Sequence, residues 1–219
     1  MSYLTRVRQL AQPSVLRTVP RTLRERLGST EEAYVLRRDL DAPHVAPAAK
    51  IEISVRPLVE ADVPKVFGGD SGLPSEYTFQ VRRRRLLESG IGTCYAAVAA
   101  DDEPCYVQWL MGAEENARIR DYYGGSFPEV EPGTMLLEGA FTPTAFRGKG
   151  IMGAAMSLIA EKAADTGSRY VITVVDVDNI PSLRGCEKAN FFPYQRRTLT
   201  WRLFRRDVGF EILSVADRS

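Results

Sequence analysis

The sequence predicts an α/β (α+β) protein: a mixed, mostly antiparallel central sheet with flanking helices. Three observations carry this. TMLLEGAFT (134–142) and RYVITVVDV (169–177) are nearly continuous apolar runs, the pattern of strands buried on both faces. An apolar-periodic helix, IMGAAMSLIAEKAADTG (151–167), separates them. Upstream, TCYAAVAA and CYVQWLMGA flank the short DDEP and read as an antiparallel hairpin.

Taken in order, residues 1–50 read as a basic N-terminal extension. MSYLTRVRQLAQPSVLRTVPRTLRERLGS is rich in arginine and poor in acid, with Pro13 and Pro20 interrupting it. Such a segment suits a transit peptide, a membrane-surface helix, or one or two amphipathic helices lying on the main domain or a partner. The last is favoured, with DAPHVAPAAK (41–50) as a Pro-rich linker. A main domain is expected over 51–206. IEISVRPL alternates like a strand, and EADVPKVF follows as a short helix. PSEYTFQVRRRRLLESG opens a helix near Ser75 and stops at Gly90. After the hairpin, ENARIRDYYGGSFPEVEPG reads as a polar loop able to shape or cover a pocket. NIPSLRGCEKAN predicts a short helix and RRTLTWRLF a final strand, leaving 207–219 as a tail.

Composition narrows the chemistry. The 219 residues are 44% hydrophobic and 26% charged, and the formal net charge is +1, so no global field draws the chain to nucleic acid or membrane. No apolar run is long enough for stable membrane insertion. Cys94, Cys105 and Cys186 form no C-x-x-C pair, which suits a reduced, cytoplasmic protein. The single histidine, His44, lies in the Pro-rich stretch. A histidine-based triad or a His-rich metal site is therefore not expected, and a base must be a carboxylate, a tyrosine or water.

The loop FRGKGIMG (146–153) points to phosphate. From Gly148 it matches the dinucleotide pattern G-x-G-x-x-G; from Arg147 it is close to R-x-x-G-x-G, a loop for the pyrophosphate of coenzyme A. Either reading places backbone N–H groups at a helix N-terminus, where the dipole favours anions. TPTAFR separates the loop from its strand, and too few residues follow Gly153 to complete a dinucleotide fold, although Asp176 stands where a ribose-binding acid would. A Walker loop fails because Gly150 follows Lys149. NIPSLRGCEKANF (179–191) resembles N-x-x-[AS]-x-x-L-Y-x-K-x-G-F, the late helix of the GNAT acyltransferase superfamily. With FRGKGIMG one helix and one strand earlier, the pair of motifs is similar to that family from Ile51 to Phe204.

The resemblance implies a splayed pair of parallel strands holding the acyl-pantetheine arm of acetyl-CoA or another acyl-CoA. Phe141 and Thr142 would offer backbone groups to the arm. The amides of Gly148, Lys149, Gly150, Ile151, Met152 and Gly153 would hold the pyrophosphate beside Arg147. Asn179 would bond the arm while also capping its helix, and Ser182 and Lys188 match further motif positions. Three departures stand out. Met152 occupies the place of the last small residue, Asn190 replaces a glycine, and Cys186 replaces the tyrosine that often protonates the leaving thiolate. A thiol at a helix surface suits packing better than acid chemistry, which leaves Tyr122, Tyr123 or water for that proton.

Glu138, a carboxylate inside MLLEGAF, is the expected general base, because burial raises its pKa towards neutrality. The plainer alternative is a buried glutamate paired with an arginine. Asp176 and Asp178 are substitutes, or simply turn residues before Asn179. No metal is expected. The acceptor is expected to be a small-molecule amine. Arg82–Arg85 read as a solvated face or as a site for an anionic substrate or an acyl carrier protein. A carrier-protein donor, a non-catalytic acyl-CoA-binding regulator and a homodimer are all compatible with the sequence.

Overall fold

The computed structural model describes residues 21–68 and 74–214. Expectations for residues 1–20 lie outside this range. One eight-stranded sheet organises the chain, in the order β2-β3-β4-β5-β6-β1-β7-β8. The strands are β1 (Gly28–Asp39), β2 (Ser54–Pro57), β3 (Thr93–Val98), β4 (Pro104–Met111), β5 (Thr134–Phe141), β6 (Tyr170–Asp176), β7 (Phe192–Arg202) and β8 (Arg205–Ile212). Helices α1 (Arg21–Leu27), α2 (Val63–Phe67), α3 (Pro74–Ser89), α4 (Asn116–Tyr123), α5 (Ile151–Ala164) and α6 (Ile180–Lys188) connect or flank them. Every strand pair is antiparallel except β5–β6.

Alternation along the strands sorts the core onto two faces. Leu36, Leu137 and Val171 point towards α5, whose Ala155, Met156, Ile159 and Ala163 are fully buried. Val35, Leu136 and Ile172, one residue away, point to the opposite face with Trp109, Leu86 of α3 and Ile119 of α4.

The parallel pair opens. β5 and β6 are in register only at Thr134–Tyr170, Met135–Val171 and Leu136–Ile172. Beyond that, β5 follows β4 through a register shift between Val107 and Trp109. Gly139 lies at this bulge with φ +77°, and an added Cβ would stand 2.8 Å from the Trp109 ring. A bulge increases twist and bends its strand; here it accompanies the departure of β5 from β6.

Four features depart from the sequence expectation. Residues 28–39 are neither helix nor linker. They form β1, a 12-residue strand between β6 and β7, so the sheet begins well before residue 51. Its buried centre, Ala33-Tyr34-Val35-Leu36, is short and lies among charged residues, which conceals it in the sequence. The segment 41–50 is held against α5 and its loop: the Lys50 N–H donates to the Lys149 carbonyl at 2.8 Å, and His44 Nε2 meets Ser157 Oγ at 3.0 Å.

Residues 116–123 form α4 inside the expected loop. Gly124 stops it in the left-handed conformation, and the Asn116 side chain pins the return by bonding both backbone groups of Val130. The expected tail contains β8, paired with β7 along its length. Leu203 and Phe204 both take positive φ, the geometry of a type I′ hairpin, but lack the Asn-Gly signal that announces one.

Candidate active site

A cleft of about 730 Å³ runs through the opening between β5 and β6. Leu86 from one core and Met156 and Cys186 from the other all line it, so it reaches both faces of the sheet. Among the expected site residues, Glu138, Asp176, Met152, Asn179 and Ser182 line this cleft.

Glu138 stands where the ladder ends. Its carboxylate accepts backbone N–H bonds from Gly139 and from Val174 of the departing strand. The residue is half-buried, yet its Oε2 atom is shut from solvent and has no hydrogen-bond partner. Burial pushes its pKa up to about 7. The two N–H bonds and the charge of Arg83 pull the other way, and Asp176 adds to the rise. A carboxyl group in this state exchanges a proton near neutral pH and keeps one oxygen free of protein donors.

Asp176 is exposed at the mouth of the cleft and accepts a bond from Arg197 Nη2 at 3.3 Å. Strand register explains the contact. Ala33 of β1 pairs with Asp176 on one side and Arg197 on the other, and its small side chain lets the guanidinium reach across. Arg197 is 7% exposed.

The arginine run on α3 divides by helical geometry. Arg82, Arg83 and Arg85 line the cleft, while Arg84 pairs outward with Glu88. Arg83 donates from Nε to the Gly139 carbonyl and from Nη2 to the Ala140 carbonyl, which braces the bulge. Tyr122, Tyr123 and Phe127 form an aromatic wall, with ring centroids 4.8 and 4.2 Å apart. The Tyr122 hydroxyl donates to the Arg82 carbonyl, and burial together with the Glu138 charge keeps the Tyr123 phenol protonated.

On the other face, Asn179 caps α6 by accepting the Ser182 N–H at 3.3 Å. Cys186 is fully buried with its sulfur 3.9 Å from that of Met156; burial, then the Glu138 charge, pushes its pKa up to about 12. The thiol is packing. Lys188 is exposed, with its Cβ beside Gly153 of α5, and does not line the cleft.

The glycine loop runs into α5. Gly148 (φ +74°) and Gly150 (φ +73°) take left-handed conformations that glycine adopts without steric cost, and Gly150 is the helix N-cap. Nothing lies within 4 Å of a Cβ added at Gly148. The first turn of α5 leaves N–H groups without intrahelical acceptors, so the positive end of the helix dipole meets an exposed loop. Arg147 is exposed and donates from Nε to the Thr142 carbonyl, so that backbone group is engaged within the chain. Lys149 stacks its ammonium 5.0 Å from the Phe146 ring centroid. The side chain of Ile151 enters the core. Gly153 serves packing: an added Cβ would lie 3.2 Å from the Gly185 carbonyl, so its placement one position late belongs to the α5–α6 contact. Phe141 turns its ring under Arg83, at 4.7 Å.

Sequence reasoning missed Gln108 and Arg197. Gln108 is 1% exposed, accepts the Tyr106 hydroxyl at 2.6 Å and lines the cleft. A lone amide in the otherwise uncharged, apolar-rich PCYVQWLM was the available signal. Arg196 and Arg197 cannot be ranked until β1 fixes which of them faces inward. Among the described residues, no helix is long and apolar enough to cross a membrane, and no group of three or more His, Cys, Asp or Glu residues could hold a metal ion.

Comparison with solved structures gives the same architecture. The chain is similar to a GCN5-related N-acetyltransferase from Sphaerobacter thermophilus, with 18% identity, TM-score 0.50 and 90% of this chain covered. It is also similar to the GCN5-related glucosamine N-acetyltransferase region of a fungal multi-domain GH3 β-N-acetylglucosaminidase, with 10% identity, TM-score 0.56 and 79% covered. It spans 57% of the former protein and 21% of the latter. At these identities the likeness shows the fold alone. No curated protein sequence matches the chain. The sequence model of the acetyltransferase (GNAT) family matches residues 75–191, more than half of the chain and the whole span from α3 through the glycine loop to the end of α6; the chain belongs to the GNAT acetyltransferase family.

Proposed function

We propose that this protein is an N-acyltransferase that moves an acetyl or other acyl group from acyl-CoA to a primary amine of a small molecule, by direct attack on the thioester. The observation that carries the reading is Glu138, a carboxyl group with a pKa of about 7 and one unpartnered buried oxygen, standing where β5 and β6 part.

The chain's residues divide the work by face. The open loop at Gly148–Gly150 and the first turn of α5 would hold the pyrophosphate, with Arg147 and Lys149 adding positive charge. Asn179, Ser182 and Met152 border the path of the acyl arm into the cleft, and backbone groups released by the splay receive the arm. From the opposite face the amine enters as an ammonium. Glu138 takes its proton, which frees the nitrogen lone pair. A C–N bond then forms at the acyl carbon as the C–S bond breaks, and the leaving thiolate regains a proton from water. Asp176, paired with Arg197, lies at the same mouth.

Calorimetric titration with acetyl-CoA, hexanoyl-CoA, dephospho-CoA and NAD tests the donor, beside the variant Gly150→Glu. Binding of a CoA ester is expected, and its loss in Gly150→Glu, because the substitution puts a negative charge and a strained left-handed residue at the loop. Binding of NAD alone would overturn the proposal.

A further inference from the structure

The cleft carries more positive charge than an amine acceptor by itself would tolerate. Among its described lining residues are four guanidiniums, Arg82, Arg83, Arg85 and Arg197, and two carboxylates, Glu138 and Asp176. A bare ammonium entering such a cavity meets net repulsion at short range. An acceptor that brings its own negative charge does not.

Arg197 is the group best built to receive it. It is 7% exposed, sits on the face of the sheet that Glu138 shares, and reaches over Ala33 to the cleft. Its bonds are long and few: 3.3 Å from Nη2 to Asp176 Oδ1, and 3.4 Å from Nη1 to the Ser126 carbonyl. Its Nε is buried with no hydrogen-bond partner. A buried guanidinium left short of acceptors carries a desolvation cost that a ligand oxygen would relieve. The planar fork matches a carboxylate. A phosphate dianion fits less well, because Asp176 already shares this guanidinium and Glu138 lines the same cleft. The aromatic wall of Tyr122, Tyr123 and Phe127 supplies the surface for an apolar body.

Resting on the acyltransferase reading, we infer that the acceptor is an amine carrying a carboxylate next to an apolar or aromatic group, the chemistry of a large α-amino acid, and that Arg197 is the residue that selects it. Glu138 then faces the amine while Arg197 holds the carboxylate.

The test uses matched pairs that differ only by the carboxylate: phenylalanine and phenethylamine, tyrosine and tyramine, leucine and isoamylamine. Release of the CoA thiol from acetyl-CoA is followed for each in wild type, Arg197→Gln and Arg197→Lys. In wild type the amino acid should exceed its decarboxylated partner in kcat/KM by about 10- to 100-fold, the range of a charge-assisted hydrogen bond. Arg197→Gln should abolish or reverse that ratio, with Arg197→Lys between. Because both members of a pair are measured on the same preparation, partial misfolding cancels from the ratio. A purely structural Arg197 would lower both members equally, and that result overturns the inference, as does a wild type that prefers the decarboxylated amines. If acetyl-CoA binds by calorimetry but no amine is acylated, amino-acid binding to the CoA-bound protein decides: loss of binding in Arg197→Gln supports the inference, and no binding in wild type overturns it. Failure of acetyl-CoA itself to bind would instead remove the acyltransferase reading on which it rests, and the inference with it.

Discussion

Glu138 shows how one residue's chemistry depends on its surroundings. As a carboxylate in water it would be ionised and a weak base at neutral pH; the cleft raises its pKa to about 7 because burial penalises the charged form. Glu138→Gln keeps the shape and removes the proton acceptor, so kcat/KM should fall about 100-fold or more. In wild type, kcat/KM should rise about tenfold per pH unit below pH 7 and level off above it, and this limb should vanish in the variant. Stability carries the opposite sign from a salt-bridged acid. The folded-state pKa lies above the unfolded value of 4.5, so the folded protein binds more protons between pH 4.5 and 7 and loses stability as pH rises through that window. Glu138→Gln should therefore gain on wild type as pH increases, by up to about 2–3 kcal/mol at pH 8. Urea unfolding at pH 5 and pH 8 reads this directly; an equal gap at both values would place the carboxyl in water.

At the scale of elements, the cleft is a consequence of two strands that stop pairing. The Gly139 bulge bends β5 away, Arg83 braces the freed carbonyls, and the Glu138 carboxylate takes the Val174 N–H that a continued ladder would have used. The β1 strand contributes a different device. Its Ala33 leaves room between Asp176 and Arg197, and a larger residue there would close the crossing. Ala33→Leu should cost about 1–3 kcal/mol in denaturant unfolding through overpacking. It should also weaken whatever selectivity Arg197 confers, since the guanidinium is displaced. A variant as stable as wild type would show that the crossing has more space than the register implies.

At the scale of the whole molecule, the boundary of the folded unit lies upstream of the motifs that identify the family. The match over residues 75–191 contains the glycine loop and the capped helix but not β1. That strand joins β6 to β7, and through β7 to β8, so the sheet is continuous only because the N-terminal segment occupies its interior. A fragment beginning at Ile51 would expose unpaired edges on β6 and β7 and uncover the core residues that pack on Val35 and Leu36. It should show no cooperative thermal transition, where the full chain should show one. A cooperative transition in the fragment would mean that β6 and β7 can pair directly.

Much of the site was legible in the amino-acid sequence. The glycine loop announced a strand-to-helix turn with left-handed glycines at Gly148 and Gly150, and the apolar runs around Glu138 and before Asp176 announced two buried strands. Helix α5 followed from its apolar spacing, α3 from its start and stop residues, and α6 from its motif and its cap at Asn179. Other features had no local signature. The buried centre of β1 is flanked by Glu31-Glu32 and Arg37-Arg38 and becomes a strand through the partners on either side. The β7–β8 turn puts Leu203 and Phe204 at positive φ without the residues that normally permit it. Arg197 could not be told from Arg196 until the register turned one inward. Local propensity and motif chemistry, which act over a few residues, belonged to the sequence alone. Which strand fills the centre of the sheet, which arginine enters the cleft and where the parallel pair parts depend on contacts between distant segments, and only the tertiary structure decided them.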